Sequence, residues 1–285
     1  MSELHSVVLT GMGVITAHGD RTLRDPGVPT PDAPPAALTI DDFKIENYLT
    51  SQKTYLDRCA ALALAGCALA LLDAAVEWPL KDEAAARFGI TVGTHLGCIQ
   101  TMETFWSQAT ERGVRLANAL LFSHSYFNTP ISLCAIEFGL KGYHTTCCAG
   151  RQSGLESVRA AHDAIRLGHA EAMLCGGVEA VTPMRGMCEG DTGLGEAAAF
   201  FVLESAAHAA RRTAPVMRDF NDEMLTQAGA RRDTIRRHYG DCGGAESALC
   251  LAEEIIGHNR AAGRPGTGID NRAVHNSEEA TSDVD

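Results

Sequence analysis

The chain has 285 residues and a mass of 30.3 kDa, with 45% hydrophobic and 21% charged residues, enough for one large core or two small ones. A net charge of −12 and a pI near 5.3 argue against nucleic acid, and against docking onto strongly acidic partners unless a local basic patch survives. The ten cysteines include no CxxC pair, so no zinc site and no disulfide framework is expected; reduced thiols in a cytoplasmic protein, without metal or cofactor, follow.

Met1–His5 lacks the basic start and apolar block of a secretory leader. Val7–Thr10 reads as a strand entering a tight turn at Gly11-Met12-Gly13. Asp25–Ala37 holds five prolines and reads as a surface loop. Tyr55–Val76 is apolar nearly all round, the pattern of a helix buried on every side. Its longest uncharged run, Cys59–Leu72, is too short to span a bilayer, so no membrane partner is expected.

Phe88–Val92, closed by Gly93, reads as a buried strand, and Ile99–Gly113 and Thr129–Phe138 read as helices. Tyr143–Cys148 reads as a strand. Leu155, Val158, His162 and Ile165 then recur at helical spacing, with a stop at Gly168. Ala172–Gly177 and Ala198–Glu204 are two further strands. Strands alternating with helices predict an α/β sheet covered on both faces. After Phe220 the character changes: a charged stretch, Asn221–His238, precedes a helix over Ala245–Ile256. Gly257–Asp285 is polar and acidic at its end, too poor in apolar residues to pack, and is expected to be a disordered tail.

Several segments in order resemble the β-ketoacyl synthases of the thiolase fold. They are Val7-Val-Leu-Thr-Gly-Met-Gly-Val-Ile-Thr16, Asp41-Asp-Phe43, Tyr48-Leu49, Leu56-Asp57-Arg58 and Gly93-Thr-His-Leu-Gly97. Asn128, Phe138-Gly-Leu-Lys-Gly142, Leu174-Cys-Gly-Gly177-Val-Glu179-Ala180 and Leu194-Gly-Glu196 complete the pattern. The resemblance implies a thiolase-like layered α/β fold with a mostly complete N-terminal half over residues 1–220. It also implies a strongly shortened C-terminal half, with a remnant over 221–256 and the tail over 257–285, since a full ketosynthase is considerably longer.

Family chemistry needs a cysteine at a helix N-terminus, where the dipole lowers the thiol pKa and amides hold an oxyanion, and two histidines from the C-terminal half. Aligned without gaps from both flanks, the nucleophile position falls on Arg151, and a guanidinium is no nucleophile. An alternative register slips by three residues and places Cys148 there. The first histidine motif has no counterpart. The nearest match to the second is Gly240-Asp241-Cys242-Gly243-Gly244-Ala245, with Asp241 in the histidine's place.

Loss of the nucleophile on a kept scaffold resembles the chain-length-factor subunits of type II polyketide systems, where the cysteine is typically glutamine. The resemblance implies no catalytic residue and a heterodimer with an active β-ketoacyl synthase whose acyl tunnel the subunit helps shape, as in aryl-polyene-type pathways. An acyl carrier protein would then be an indirect partner. It implies an interface along Tyr143, His144, Thr145, Thr146, Cys147 and Cys148, and tunnel-lining roles for Phe122, Tyr126 and Phe127 beside Asn128; plain core is the alternative for these aromatics. Arg151 and Asp241 are expected either to pair, making Asp241→Ala sharply destabilising, or to leave Arg151 facing solvent. A deleted half should also leave an exposed apolar face. The competing function is a thiolase-fold acyltransferase or thioesterase using Cys147 or Cys148 as nucleophile.

Overall fold

The computed structural model of the chain describes residues 4–26, 38–190, 193–228 and 232–261. Its first strand, β1 (Val7–Thr16), is ten residues long and buried throughout. It does not turn at Gly11-Met12-Gly13. The glycines lie inside the strand because a helix crosses them: a Cβ on Gly11 would sit 2.4 Å from the Ala70 carbonyl oxygen, and one on Gly13 2.4 Å from that of Gly66. Close packing, not a turn, is what those glycines serve.

The remaining elements follow in order: β2 (Gly19–Thr22), α1 (Arg58–Asp73), α2 (Asp82–Arg87), β3 (Phe88–Gly93), α3 (Ile99–Arg112), α4 (Ala119–Ser123), α5 (Thr129–Phe138), β4 (His144–Cys147) and α6 (Ser153–Arg166). Then come β5 (Ala172–Glu179), α7 (Pro183–Glu189), β6 (Ala197–Ser205), α8 (Ala206–Arg211), β7 (Arg218–Phe220), α9 (Asp222–Gln227), α10 (Arg232–Tyr239) and α11 (Glu246–Ala261). One mixed sheet runs β2-β1-β6-β5-β3-β4, with β7 on the far end of β1. β3 is parallel to β4 and β5, while β6 is antiparallel to β5 and β1.

Two cores sandwich the sheet. On one face, the all-round apolar α1 packs with Ile131, Cys134 and Phe138 of α5 against Ile90, Val92 and Phe200. On the other, Leu155, Val158 and Ile165 of α6 join Leu249, Leu251, Ile255 and Ile256 of α11 over Met173 and Phe201. This is the thiolase-like layered arrangement that the resemblance implies.

Two expectations need correction. Leu225 of α9 and Ile235 and Tyr239 of α10 reach into the second core, so the charged stretch, with well-spaced apolar residues, folds onto α11. The apolar face expected at the C-terminal layer is therefore covered at α11 among the described residues. Helix α11 also continues past Gly257 to Ala261; the expected tail over 262–285 and most of the proline loop, 27–37, lie outside the described residues.

Candidate functional site

The parallel strand β4 ends at Cys147, and a short 3-10 turn, Gly150–Gln152, carries the chain into α6. Ser153 builds the turn: its Oγ donates to the Gly150 carbonyl at 2.6 Å and accepts from the Ala149 amide at 2.8 Å. Arg151 thus stands at the N-terminus of α6. That end of a helix is positive and disfavours a cation unless a carboxylate faces it.

Asp241 supplies the carboxylate. Arg151 Nε donates to its Oδ2 and Oδ1 at 3.1 and 3.2 Å, and Nη2 makes a second hydrogen bond to Oδ2. The Gly243 amide also donates to Asp241 Oδ1, at 3.0 Å. Burial alone would raise the Asp241 carboxyl, but Arg151, that amide and the Arg185 charge outweigh it and hold it below the usual range. Hydrogen bonding to Asp241 in turn raises the Arg151 guanidinium, and Glu246 adds to the effect. The pair is only partly sheltered, with the Arg151 side chain 41% and Asp241 21% exposed, so both expectations for Arg151 are met: it pairs and it reaches solvent.

A charged network underlies the pair, and sequence pattern did not mark it. Arg185 is fully buried and donates to the carbonyls of Asp241 (2.7 Å), Gly195 (2.9 Å) and Ala180 (3.2 Å), and to Glu189 Oε2 (2.7 Å). Glu189 Oε1 lies 3.1 Å from His95 Nδ1. Buried Glu246, at the start of α11, accepts from Arg236 Nε at 2.8 Å and lies 3.8 Å from Arg151 Nε. Buried Glu179 accepts from the amides of His95 (2.6 Å), Gly244 (2.9 Å) and Leu96 (3.2 Å), tying the turn after β3 to the turn before α11. Desolvation still leaves its carboxyl raised, despite Arg185 and those amides. Glu179 and His95, each within a glycine motif, had a sequence signal; the others are single charged residues brought together from α7, α10 and α11.

The two vicinal cysteines both have thiols pushed above the ordinary value. Cys147 is half-buried, and burial, with Glu156 and Cys148 nearby, pushes its thiol up. Cys148 is exposed on the loop after β4, yet partial desolvation and Glu179 raise it too. A raised thiol carries less thiolate at neutral pH. All ten cysteines are free, and among the described residues no cluster of His, Cys, Asp and Glu is fit to hold a metal. No helix among them is long and apolar enough to cross a membrane.

The supposed interface residues are exposed or half-buried. Among the described residues β4 pairs only with β3, which leaves its other side as an open sheet edge there. Tyr143 and His144 are exposed there; Thr145 and Thr146 are half-buried. Phe122, Tyr126, Phe127 and Asn128 are all exposed, which excludes the core alternative for the three aromatics. Phe122 stacks edge-on against Tyr126 at 5.2 Å and on Phe105 at 5.3 Å, and Trp106 is 58% exposed beside Phe105. Among the described residues, these neighbouring exposed aromatics lie on α3, α4 and the segment leading into α5.

Comparison with known proteins agrees with this architecture. Residues 35–196 match the family model "Beta-ketoacyl synthase, N-terminal domain". A 3-oxoacyl-[acyl-carrier-protein] synthase 2 from Staphylococcus aureus is 24% identical over 196 residues, covering 63% of this chain and 47% of that protein. The enzyme of the same name from Vibrio harveyi is 27% identical over 149 residues, 52% of this chain and 35% of its own length. The chain thus spans about half or less of these curated relatives.

Among solved structures, the ishigamide ketosynthase/chain length factor superimposes with a TM-score of 0.68 at 19% identity, covering 89% of this chain and 86% of that one. A β-ketoacyl synthase from Burkholderia phymatum gives 0.67 at 18% identity, covering 90% and 87%. A type II polyketide ketosynthase, solved in complex with its acyl-carrier protein, gives 0.63 at 22%, covering 74% and 66%. With more than half of its residues inside the family model, this chain belongs to the β-ketoacyl synthase family.

Proposed function

We propose that this chain is a catalytically silent ketosynthase-like subunit that pairs with an active β-ketoacyl synthase and helps shape its acyl tunnel, in the manner of a chain length factor. The observation that carries the reading is the Arg151–Asp241 pair: the helix N-terminus where the family places its nucleophile holds a guanidinium locked to a carboxylate. Neither group can take up an acyl chain at that position. The open edge of β4 and the aromatic patch of Phe122, Tyr126 and Phe127 support a partner subunit on this side, because a free strand edge and contiguous exposed aromatics both favour being covered. The likeness to the ishigamide ketosynthase/chain length factor is in keeping with such a role.

The test is co-expression with an active ketosynthase from the same genome, with only this chain tagged, followed by size-exclusion chromatography and product assay. A stoichiometric heterodimer whose elongation activity requires both chains is the expected result. A lone monomer or homodimer that becomes acylated on Cys147 or Cys148 would overturn the reading and favour an acyltransferase or thioesterase.

A further inference from the structure

A groove opens where β7, α9 and the end of α11 meet, with a volume of about 660 Å³, inside the range of about 300–1,000 Å³ usual for ligand sites. Two methionines supply its apolar surface. Met217, just before β7, is 42% exposed, and Met224 of α9 is half-buried against the second core. Asp219, Glu223 and Glu254 line the same groove against one guanidinium, that of Arg218, whose Nη1 is turned to the Ile255 carbonyl oxygen at 3.5 Å. Asp219 and Glu223 are exposed and enter no ion pair among the described residues; the Glu223 carboxylate accepts from Gln227 Nε2 at 2.9 Å. His258 closes the groove in the last turn of α11, the negative end of that helix. Among the described residues β7 pairs only with β1, so the strand that lines the groove also has an open outer edge.

We propose that this groove docks an extended segment of a partner protein in which an apolar residue is flanked by lysine or arginine. Methionine is unbranched and adaptable, so Met217 and Met224 can close around an apolar anchor of varied shape. The carboxylates and the helix end favour cations on either side of that anchor and set its register. The open edge of β7 suits an extended backbone. Three residues offer too few ladder bonds to hold a strand by themselves, so the side chains in the groove carry the contact. Sign of charge chooses the occupant. Residues 262–285, which follow α11, hold five acidic residues and two arginines, and so bring like charge to the groove. A second copy of the same groove would bring like charge too. The groove lies outside residues 35–196, which match the family model, and the inference stands apart from the proposed pairing with a ketosynthase.

The probe is a short fluorescein-labelled peptide of alternating lysine and valine, titrated by anisotropy against the full chain alone. A peptide with serine in place of valine is the comparator, and Asp219→Lys/Glu223→Lys is the variant. Expected are saturable binding of the lysine–valine peptide, about tenfold weaker binding to the variant, and hydrogen-exchange protection confined to β7 and α9. Met217→Ser, which keeps the charges, should also weaken binding and serves where the charge variant fails to fold. No saturable binding would overturn the inference. So would equal affinity of wild type and variants, equal binding of the serine comparator, or protection spread over the chain, since each leaves only the general attraction of lysine for an acidic protein. Binding that appears only after residues 262–285 are removed would overturn the choice of occupant in favour of the chain's own end. A concentration-dependent dimer that the charge variant abolishes would overturn it in favour of a second copy.

Discussion

Arg151 and Asp241, ninety positions apart in sequence, close the junction between α6 and α11 through three hydrogen bonds from one guanidinium to one carboxylate. Their partial exposure moderates the expected consequence. A fully buried pair broken on one side costs about 3–5 kcal/mol, but exposed pairs contribute about 0–1 kcal/mol. Asp241 also helps neutralise the buried Arg185, whose Nη2 lies 3.7 Å from Oδ1. Asp241→Ala is therefore expected to destabilise by about 1–2 kcal/mol, read as a lower urea midpoint at unchanged slope, and not to unfold the chain.

Glu204 is a pH-linked group on β6. Burial would raise its carboxyl, but hydrogen bonds from Arg212, His208 and Thr10 outweigh that and hold it down to about 2, from an ordinary 4.5. A depressed carboxylate contributes stability that is complete above its unfolded value and is lost as pH falls toward the folded one. The contribution is about 3 kcal/mol at neutral pH. Urea titrations between pH 5 and 2 should show a falling acid limb in the wild type, and Glu204→Gln should flatten it while lowering stability at pH 7.

Gly154 is where α6 touches α11. A Cβ there would lie 2.8 Å from Ala248 Cβ and 3.0 Å from the Gly244 carbonyl oxygen, groups with no flexible end to yield. The helix preference of alanine, about 1 kcal/mol, is outweighed by overpacking of about 1–3 kcal/mol. Gly154→Ala should lower thermal stability, and the double variant with Ala248→Gly should recover most of the loss.

Phe122 and Tyr126 are exposed in the isolated chain. Phe122→Ser/Tyr126→Ser should leave its melting temperature within a degree or two, since surface changes alter stability by about 0.5 kcal/mol or less. The same variant should weaken association with the ketosynthase by tenfold or more if these rings sit at the centre of the contact. Thermal denaturation of the chain alone and equilibrium sedimentation of the mixed chains give the two numbers.

Cys147 and Cys148 are expected to remain unmodified when the chain is incubated with acyl thioesters at pH 7, because both thiols are pushed above their ordinary value. Intact mass before and after incubation checks this. A single acyl adduct would show that the site's environment differs from the one drawn here.

Much of the fold was legible because it is written in local periodicity. The apolar run of α1, the β-branched β3 and the spacing of Leu155, Val158 and Ile165 each fix an element and its inward face without reference to the rest of the chain. The family resemblance rested on short motifs with glycines in register, and it placed Arg151 and Asp241 at opposed positions before any distance was known. Tertiary structure decided the rest. Gly11 and Gly13 read as a turn until α1 is seen crossing them, because a glycine needed for close approach looks the same in sequence as one needed for a bend. The sparse apolar residues of Asn221–His238 gained meaning only through α11, which they cover. The network of Arg185, Glu189, Glu246 and Arg236 has no sequence signature, since charge pairing depends on distance and burial, and the chain brings these residues together from separate helices. Sequence by itself determined that the nucleophile position is an arginine. Only the folded chain decided that this arginine is held by Asp241 with its outer side in water, because which carboxylate lies near it, and how much solvent screens the pair, are properties of packing.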